Sequence, residues 1–244
     1  MTQTTTIAGR IFTRLGLAPY VGSAAQRSVK AETSRVPELG DGVRPTHISH
    51  LAIGTNNFEE VADWWQTVLN MKPTLDAEGM RFMTFDDEHH KIVVFAFDDL
   101  QRREKGGAPE FCGMHHIALS YASFADLAAT YKRLKKVGIV PYRGINHGSS
   151  FAIDYYDPDY NCCELQCSCF PGEQGEKGPM NEWLGTGAFN RNPIGVLFDM
   201  EEAIDAYERG VDVREIVSPY RMRIGEHTPE ELEAGELTSE REGK

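Results

Sequence analysis

No run of consecutive apolar residues in the 244-residue chain approaches the roughly 18 that a membrane-spanning helix needs, so no membrane partner is expected. Basic residues are also in short supply. Lys and Arg number 25 against 37 Asp and Glu, a formal net charge of −12. Phosphate recognition wants a basic face, so nucleic acid is not expected as a partner either. Part of the charge is local: residues 226–244 hold seven Glu against Arg241 and Lys244, an acidic tail that reads as solubilising. Acids are missing from the first 31 residues, which carry Arg10, Arg14, Arg27 and Lys30 among many Thr and Ser. That composition is similar to an organelle transit peptide; the favoured reading is an N-terminal arm lying on the protein or on a second subunit. Cysteine is rare outside one cluster, which comprises Cys162, Cys163, Cys167 and Cys169, with Cys112 apart. An odd number crowded together is not a secreted disulfide framework. There is no CxxC spacing, and ligands alternating along one strand cannot converge on a tetrahedral ion. A reduced, cytoplasmic setting with cysteines as small core residues is expected.

What is present is an internal repeat. His50-Leu51-Ala52-Ile53 and His116-Ile117-Ala118-Leu119 lie 66 residues apart. The same offset carries Phe58 onto Phe124, Val61 onto Leu127, Ala62 onto Ala128, Trp65 onto Tyr131 and Val68 onto Leu134. In each copy a short apolar strand precedes a segment with the helical period. Asn56 or Asn57 is placed to cap the first helix and Ser123 the second, with Gly138 as the second helix's stop. Further strands are expected at 81–85 and 91–97, and at 150–156 and 162–167. Weaker ones are expected near 71–75 and 140–143. Asp157-Pro158-Asp159-Tyr160-Asn161 is a tight turn by its chemistry. The fold class is therefore α+β: paired βαβββ modules, 45–100 and 113–168, forming an open, cupped mixed sheet around a metal site. An N-terminal arm (1–44) and a C-terminal extension (169–244) flank them. Residues 101–109 read as the linker, and helices are expected over 201–209 and from Thr228. The extension is expected to wrap the repeat, cover the pocket or make an oligomer contact; a homo-oligomer is expected.

His50 and His116 are equivalent in the repeat, so a pseudo-twofold pairing of the two units would bring them to one cavity. Glu164 lies in the otherwise apolar run Cys162-Cys163-Glu164-Leu165-Gln166-Cys167. Strand alternation puts Cys162, Glu164 and Gln166 on one face. A lone carboxylate in a central strand is costly unless it is paired or metal-bound. Two imidazoles and one carboxylate with open positions form the facial triad of non-haem Fe(II) oxygenases. His47 and His115 fall on opposite strand faces from their neighbours and are read as non-ligands.

The two-copy βαβββ pattern, His50-Leu51-Ala52-Ile53 with His116-Ile117-Ala118-Leu119, and Asp157-Pro158-Asp159 followed by Glu164 resemble the vicinal oxygen chelate superfamily of glyoxalases, bleomycin-resistance proteins and dioxygenases. Within it the chain is most similar to single-domain type I extradiol catechol dioxygenases. The likeness covers residues 45–168, with a weaker one over 181–198. It implies Fe(II) on His50, His116 and Glu164, and a small-molecule aromatic diol and O2 as partners. It also implies an acid/base role for His90, the second residue of the His89-His90 pair, and a pocket role for His147. The chain departs from the family at two positions. Asp154 stands where the family has a tyrosine that contacts a substrate hydroxyl, and Tyr160 stands where it usually has glycine. Asp154 is then either a base or a contact for a polar substrate group. The same ligands with Mn(II), Ni(II), Co(II) or Zn(II) would suit an isomerase, epimerase or lyase of the superfamily. A drug-sequestering binder would generally lack the ligand set.

Overall fold

A computed structural model of the protein describes residues 44–100, 113–170 and 178–219. Cys112, the expected linker at 101–109 and the helix expected from Thr228 lie outside the described residues. The chain divides into two compact units, Met1–His115 with Asp157–Tyr160, and His116–Tyr156 with Asn161–Lys244. Among the described residues no helix is long and apolar enough to cross a membrane.

The first unit runs β1 (Leu51–Thr55), α1 (Phe58–Val68), β2 (Lys72–Ala77), β3 (Met80–Thr84) and β4 (Ile92–Ala96). Its sheet has the order β1-β4-β3-β2. β1 runs parallel to β4, from Leu51 opposite Ile92 to Thr55 opposite Ala96, and the other pairs are antiparallel. Helix α1 turns Val61, Ala62, Trp65 and Val68 inward and packs on β4. These are the residues that the repeat offset singled out. Asn57 does take the N-cap position, yet its side chain makes no capping bond. Its amide donates to Glu60 instead, and its own N–H donates to Thr55 Oγ1 at 2.8 Å. Arg81 in β3 is buried and held by Asp63 (2.6 Å), Glu59 (3.0 Å) and Asp76 (3.2 Å). The Trp65 indole donates to Asp157 Oδ2 at 3.0 Å, a buried bond. Tyr160, closing that turn, sits at φ 62, a left-handed conformation that a bulky residue adopts at a cost of about 1–2 kcal/mol. The turn thus keeps the backbone shape a glycine would take there.

The second unit repeats the pattern with β5 (His116–Tyr121), α2 (Phe124–Lys136), β6 (Arg143–Asn146), β7 (Ser150–Tyr156) and β8 (Cys162–Ser168). β5 runs parallel to β8, and β7 pairs antiparallel with both β8 and β6. Ser123 Oγ caps α2 by accepting from Asp126 N at 3.2 Å, and Gly138 ends it at φ 81. Strand β6 begins three residues later than the expected 140–143. Pro141 interrupts the apolar run that suggested a strand there, and Val140 is exposed.

The C-terminal extension forms α3 (Pro179–Leu184), α4 (Gly187–Arg191), β9 (Val196–Leu197), α5 (Met200–Glu208) and α6 (Val213–Ile216). β9 adds a fifth strand beside β6, giving the order β5-β8-β7-β6-β9. Phe198 packs its ring 3.7 Å from that of Phe151. Helix α5 matches the helix expected over 201–209 and is tied to α2 through Glu201, which accepts from Tyr131 Oη at 2.6 Å and pairs with Lys135. Gly195 makes the strand addition possible. It sits at φ 99, and a Cβ there would lie 1.9 Å from the Asn146 carbonyl oxygen. Gly195→Ala is therefore expected to destabilise the protein by at least about 2 kcal/mol, read as a lowered urea midpoint.

Candidate metal centre

Register places the chemistry on one face of the second sheet. Asp154 of β7 is directly opposite Glu164 of β8, and Arg143 of β6 is directly opposite Asp154. His116 opens β5 opposite Cys162. Gln166 donates to Ser120 Oγ at 3.2 Å across the same ladder, consistent with Cys162, Glu164 and Gln166 sharing that face. The other face carries Cys163, Leu165 and Cys167, all buried. Tyr155 points to that side as well and is 1% exposed, so it does not replace the missing tyrosine at position 154. The described cysteines are free and buried. Burial pushes the Cys162 and Cys167 thiols up to about 12, so they remain thiols and act as core residues.

Glu164 is 5% exposed. Its Oε2 lies 3.5 Å from His116 Nε2 and 4.0 Å from His147 Nε2. Among the described residues no lysine or arginine pairs with it. Burial, and then the neighbouring Asp154, push its carboxyl up to about 7, against the opposing pull of Arg143. His147 is oriented by the extension: its Nδ1 lies 2.7 Å from the Ile194 carbonyl. A carbonyl only accepts, so Nδ1 carries the proton and Nε2 presents its lone pair to the site. Burial lowers the affinity of this imidazole for a second proton. The loop after His147 is held equally closely, since a Cβ on Gly148 would lie 2.6 Å from the Trp183 ring of α3. Asn146 accepts from Gly148 N at 2.8 Å and donates to the Ser218 carbonyl at 3.2 Å. None of these extension contacts was expected in detail from the sequence. The glycines Gly148 and Gly195, flanking the close approaches, were the available signal.

Asp154 is ion-paired. Its Oδ2 accepts from Arg143 Nε at 2.5 Å and from Tyr142 Oη at 3.3 Å. Tyr142 in turn stacks on Tyr156, with centroids 4.3 Å apart. Arg143 and Tyr142 were not among the residues singled out in the sequence.

His50 and His90 belong to the first unit. His50 is exposed and lies just before β1, with its ring 4.8 Å from that of His90. His90 packs on Phe82 at 4.6 Å, and its Nδ1 is 2.9 Å from His89 Nδ1, leaving Nε2 outward of that contact. Desolvation, then His50 and His89, lower its proton affinity. His47 pairs with Glu88 at 3.3 Å, in keeping with a non-ligand.

Glu164 and His116 fit a divalent cation. Donors about 2.0–2.2 Å from one ion can stand as far apart as this pair does, and a buried carboxylate of raised basicity is relieved by positive charge. Among the described residues no group of three or more His, Cys, Asp or Glu side chains is arranged to hold a metal ion. The raised carboxyl has a consequence for stability. A group whose folded value exceeds its ordinary 4.5 contributes favourably below that value, and the contribution is lost as pH rises towards 7. Glu164→Gln should therefore stabilise the metal-free protein at pH 8 by on the order of 3 kcal/mol. The gain should vanish near pH 4.5, as read by urea unfolding at the two pH values.

The family model for the Glyoxalase/Bleomycin resistance protein/Dioxygenase superfamily matches residues 47–165. Biphenyl-2,3-diol 1,2-dioxygenase 2 of Rhodococcus globerulus is 35% identical over 173 residues, covering 70% of this chain and 86% of the relative. Biphenyl-2,3-diol 1,2-dioxygenase 3 of the same organism is 27% identical over 175 residues, covering 70% and 87%. Among solved structures, lactoylglutathione lyase from Agrobacterium tumefaciens is 15% identical with a TM-score of 0.41, covering 51% of this chain and 96% of that one. The chain belongs to the glyoxalase/bleomycin resistance protein/dioxygenase superfamily.

Proposed function

We propose that the protein is a non-haem Fe(II)-dependent extradiol dioxygenase that opens the ring of a catechol-type aromatic diol with O2, and that His50, His116 and Glu164 hold the iron. The observation that carries this reading is the buried Glu164 carboxylate, raised in basicity and 3.5 Å from the His116 imidazole. It stands in a chain that is 35% identical to a biphenyl-2,3-diol dioxygenase. Oxygen and nitrogen donors of this kind suit Fe(II) and leave positions open for exogenous ligands. Fe(II) would supply a path for electron density from the diol to O2.

The protein's own side chains then have separate tasks. His147, with Nδ1 fixed on Ile194, presents an Nε2 lone pair that accepts a hydrogen bond from a diol hydroxyl. His90 uses Nε2 to take up or return a proton, since its Nδ1 faces His89. Its lowered proton affinity keeps it neutral and ready to accept at neutral pH. Asp154, the carboxylate base that an isomerase or lyase reading would ask for, already has its Oδ2 in an ion pair with Arg143. That favours the dioxygenase over those alternatives with Mn(II), Ni(II), Co(II) or Zn(II).

The test is anaerobic purification with metal analysis, followed by oxygen uptake against a panel of catechols. Iron content near one per chain together with uptake is expected. His50→Ala, His116→Ala and Glu164→Ala should each lose the iron, and full iron retention in all three would refute the ligand set. His90→Gln is expected to keep its iron while turnover falls about 10²–10⁴-fold, the usual contribution of a general acid or base. Wild-type turnover in that variant would remove His90 from proton transfer.

A further inference from the structure

We infer that the Arg143–Asp154 pair is a specificity determinant that selects diols carrying one more neutral substituent able both to donate and to accept a hydrogen bond, of which a hydroxyl is the simplest. This assignment rests on the aromatic-diol reading above and deepens it.

The pair is incompletely bonded. Asp154 is 3% exposed, and among the described residues its Oδ1 has no hydrogen-bond partner although Oδ2 accepts from Arg143 and Tyr142. Arg143 spends Nε on that Oδ2, while its buried Nη1 also lacks a partner. A buried polar atom that nothing meets keeps its desolvation cost, so two on one buried pair form a site suited to a ligand. They lie on the face that carries the candidate metal donors: Asp154 is the cross-strand neighbour of Glu164, and its charge acts on both Glu164 and His147.

The open positions define the ligand. One is a donor on a cation and the other an acceptor on an anion. A hydroxyl satisfies both at once, accepting from Nη1 and donating to Oδ1. A carboxylate could accept from Nη1 but would face Asp154 and Glu164, two acids, across a desolvated space. A methyl group would leave both atoms unmet. The pair is net neutral, so a neutral group enters without an uncompensated charge. Tyr142 borders the pair, with its ring 5.1 Å from the Arg143 guanidinium.

The experiment is anaerobic calorimetric titration of the iron-loaded protein with 1,2,3- and 1,2,4-trihydroxybenzene, with 3- and 4-methylcatechol, and with 2,3- and 3,4-dihydroxybenzoate. Oxygen uptake is measured on the same samples. At least one triol should bind about tenfold or more tighter than the methylcatechol and the dihydroxybenzoate of the same substitution pattern, the scale of one well-made buried hydrogen bond. In the double variant Arg143→Met/Asp154→Leu, which removes both charges together, that preference should disappear. Asp154→Asn keeps an acceptor in place and should retain part of it. Equal binding of triols and methylcatechols by the wild type overturns the assignment, and so does a preference that survives the double variant or a failure to bind any of the probes. Turnover of methylcatechols without a triol preference would sink the pair's role and leave the dioxygenase standing. Triol preference without oxygen uptake would do the reverse.

Discussion

Everything at the candidate centre follows from one electrostatic constraint: two buried carboxylates face each other across a strand pair, and one arginine serves them. Asp154 and Glu164 are direct cross-strand neighbours. Arg143 is committed to Asp154, with its Nε on the carboxylate. Among the described residues Glu164 has only imidazoles as ion-pair neighbours. Desolvating an unpaired carboxylate costs several kcal/mol, and the chain has two ways to avoid that cost. Glu164 can hold a proton, the direction in which burial and Asp154 push it, or a cation can sit between it and the histidines. The sheet is built one positive charge short, and the shortfall is located at the residue that the sequence marks as the acidic ligand.

The two copies of the repeat diverge where the extension attaches. Strand β2 is exposed along its whole length, whereas its equivalent β6 is partly buried and paired on its outer edge by β9. Covering an edge in this way removes a row of unsatisfied backbone groups. In the second unit it also carries chemistry, because the chain that reaches β9 passes Ile194 over His147 and so fixes which nitrogen of that ring is protonated. The extension is thus part of the pocket's proton bookkeeping and not only a wrapping. Glycines at 148 and 195 are the local condition for it, since the Trp183 ring and the Asn146 carbonyl occupy the space a side chain would need.

Much of the scaffold was legible because it is periodic. The 66-residue offset links Val61, Ala62, Trp65 and Val68 with Leu127, Ala128, Tyr131 and Leu134, and all eight are buried. The strands β3, β4, β7 and β8 fall within a residue or so of their expected bounds. What escaped notice is short or irregular. Helices α3 and α4 and strand β9 have six, five and two residues, too few for a period to declare itself. The late start of β6 follows from Pro141, which a reading by apolar content alone passes over. At the site, the acid stranded in an apolar run points to Glu164 and the repeat points to His116, and the structure sets their side chains 3.5 Å apart. Arg143 was missed although the means to find it were present. A hairpin turning at Gly148-Ser149 sets residue 143 opposite residue 154, so an acid in the place of a tyrosine should have prompted a search for its cation there.

Asp154 and Arg143 make sense only together. An aspartate alone at this position would add a second unpaired negative charge beside Glu164 and raise its proton affinity further, weakening any site that needs Glu164 ionised. An arginine alone would turn to Glu164 as the nearest acid and compete with a metal for it. Set side by side, the two spend most of their charge on each other. Arg143 still opposes the effect of Asp154 on Glu164, which moderates the basicity of that carboxylate. An aspartate neutralised by its arginine thus brings no net charge to a position where the resemblance implies a neutral phenol, and the pair offers a donor and an acceptor in place of one hydroxyl. The pair therefore leaves the charge beside Glu164 balanced while changing what that part of the sheet face can hydrogen-bond.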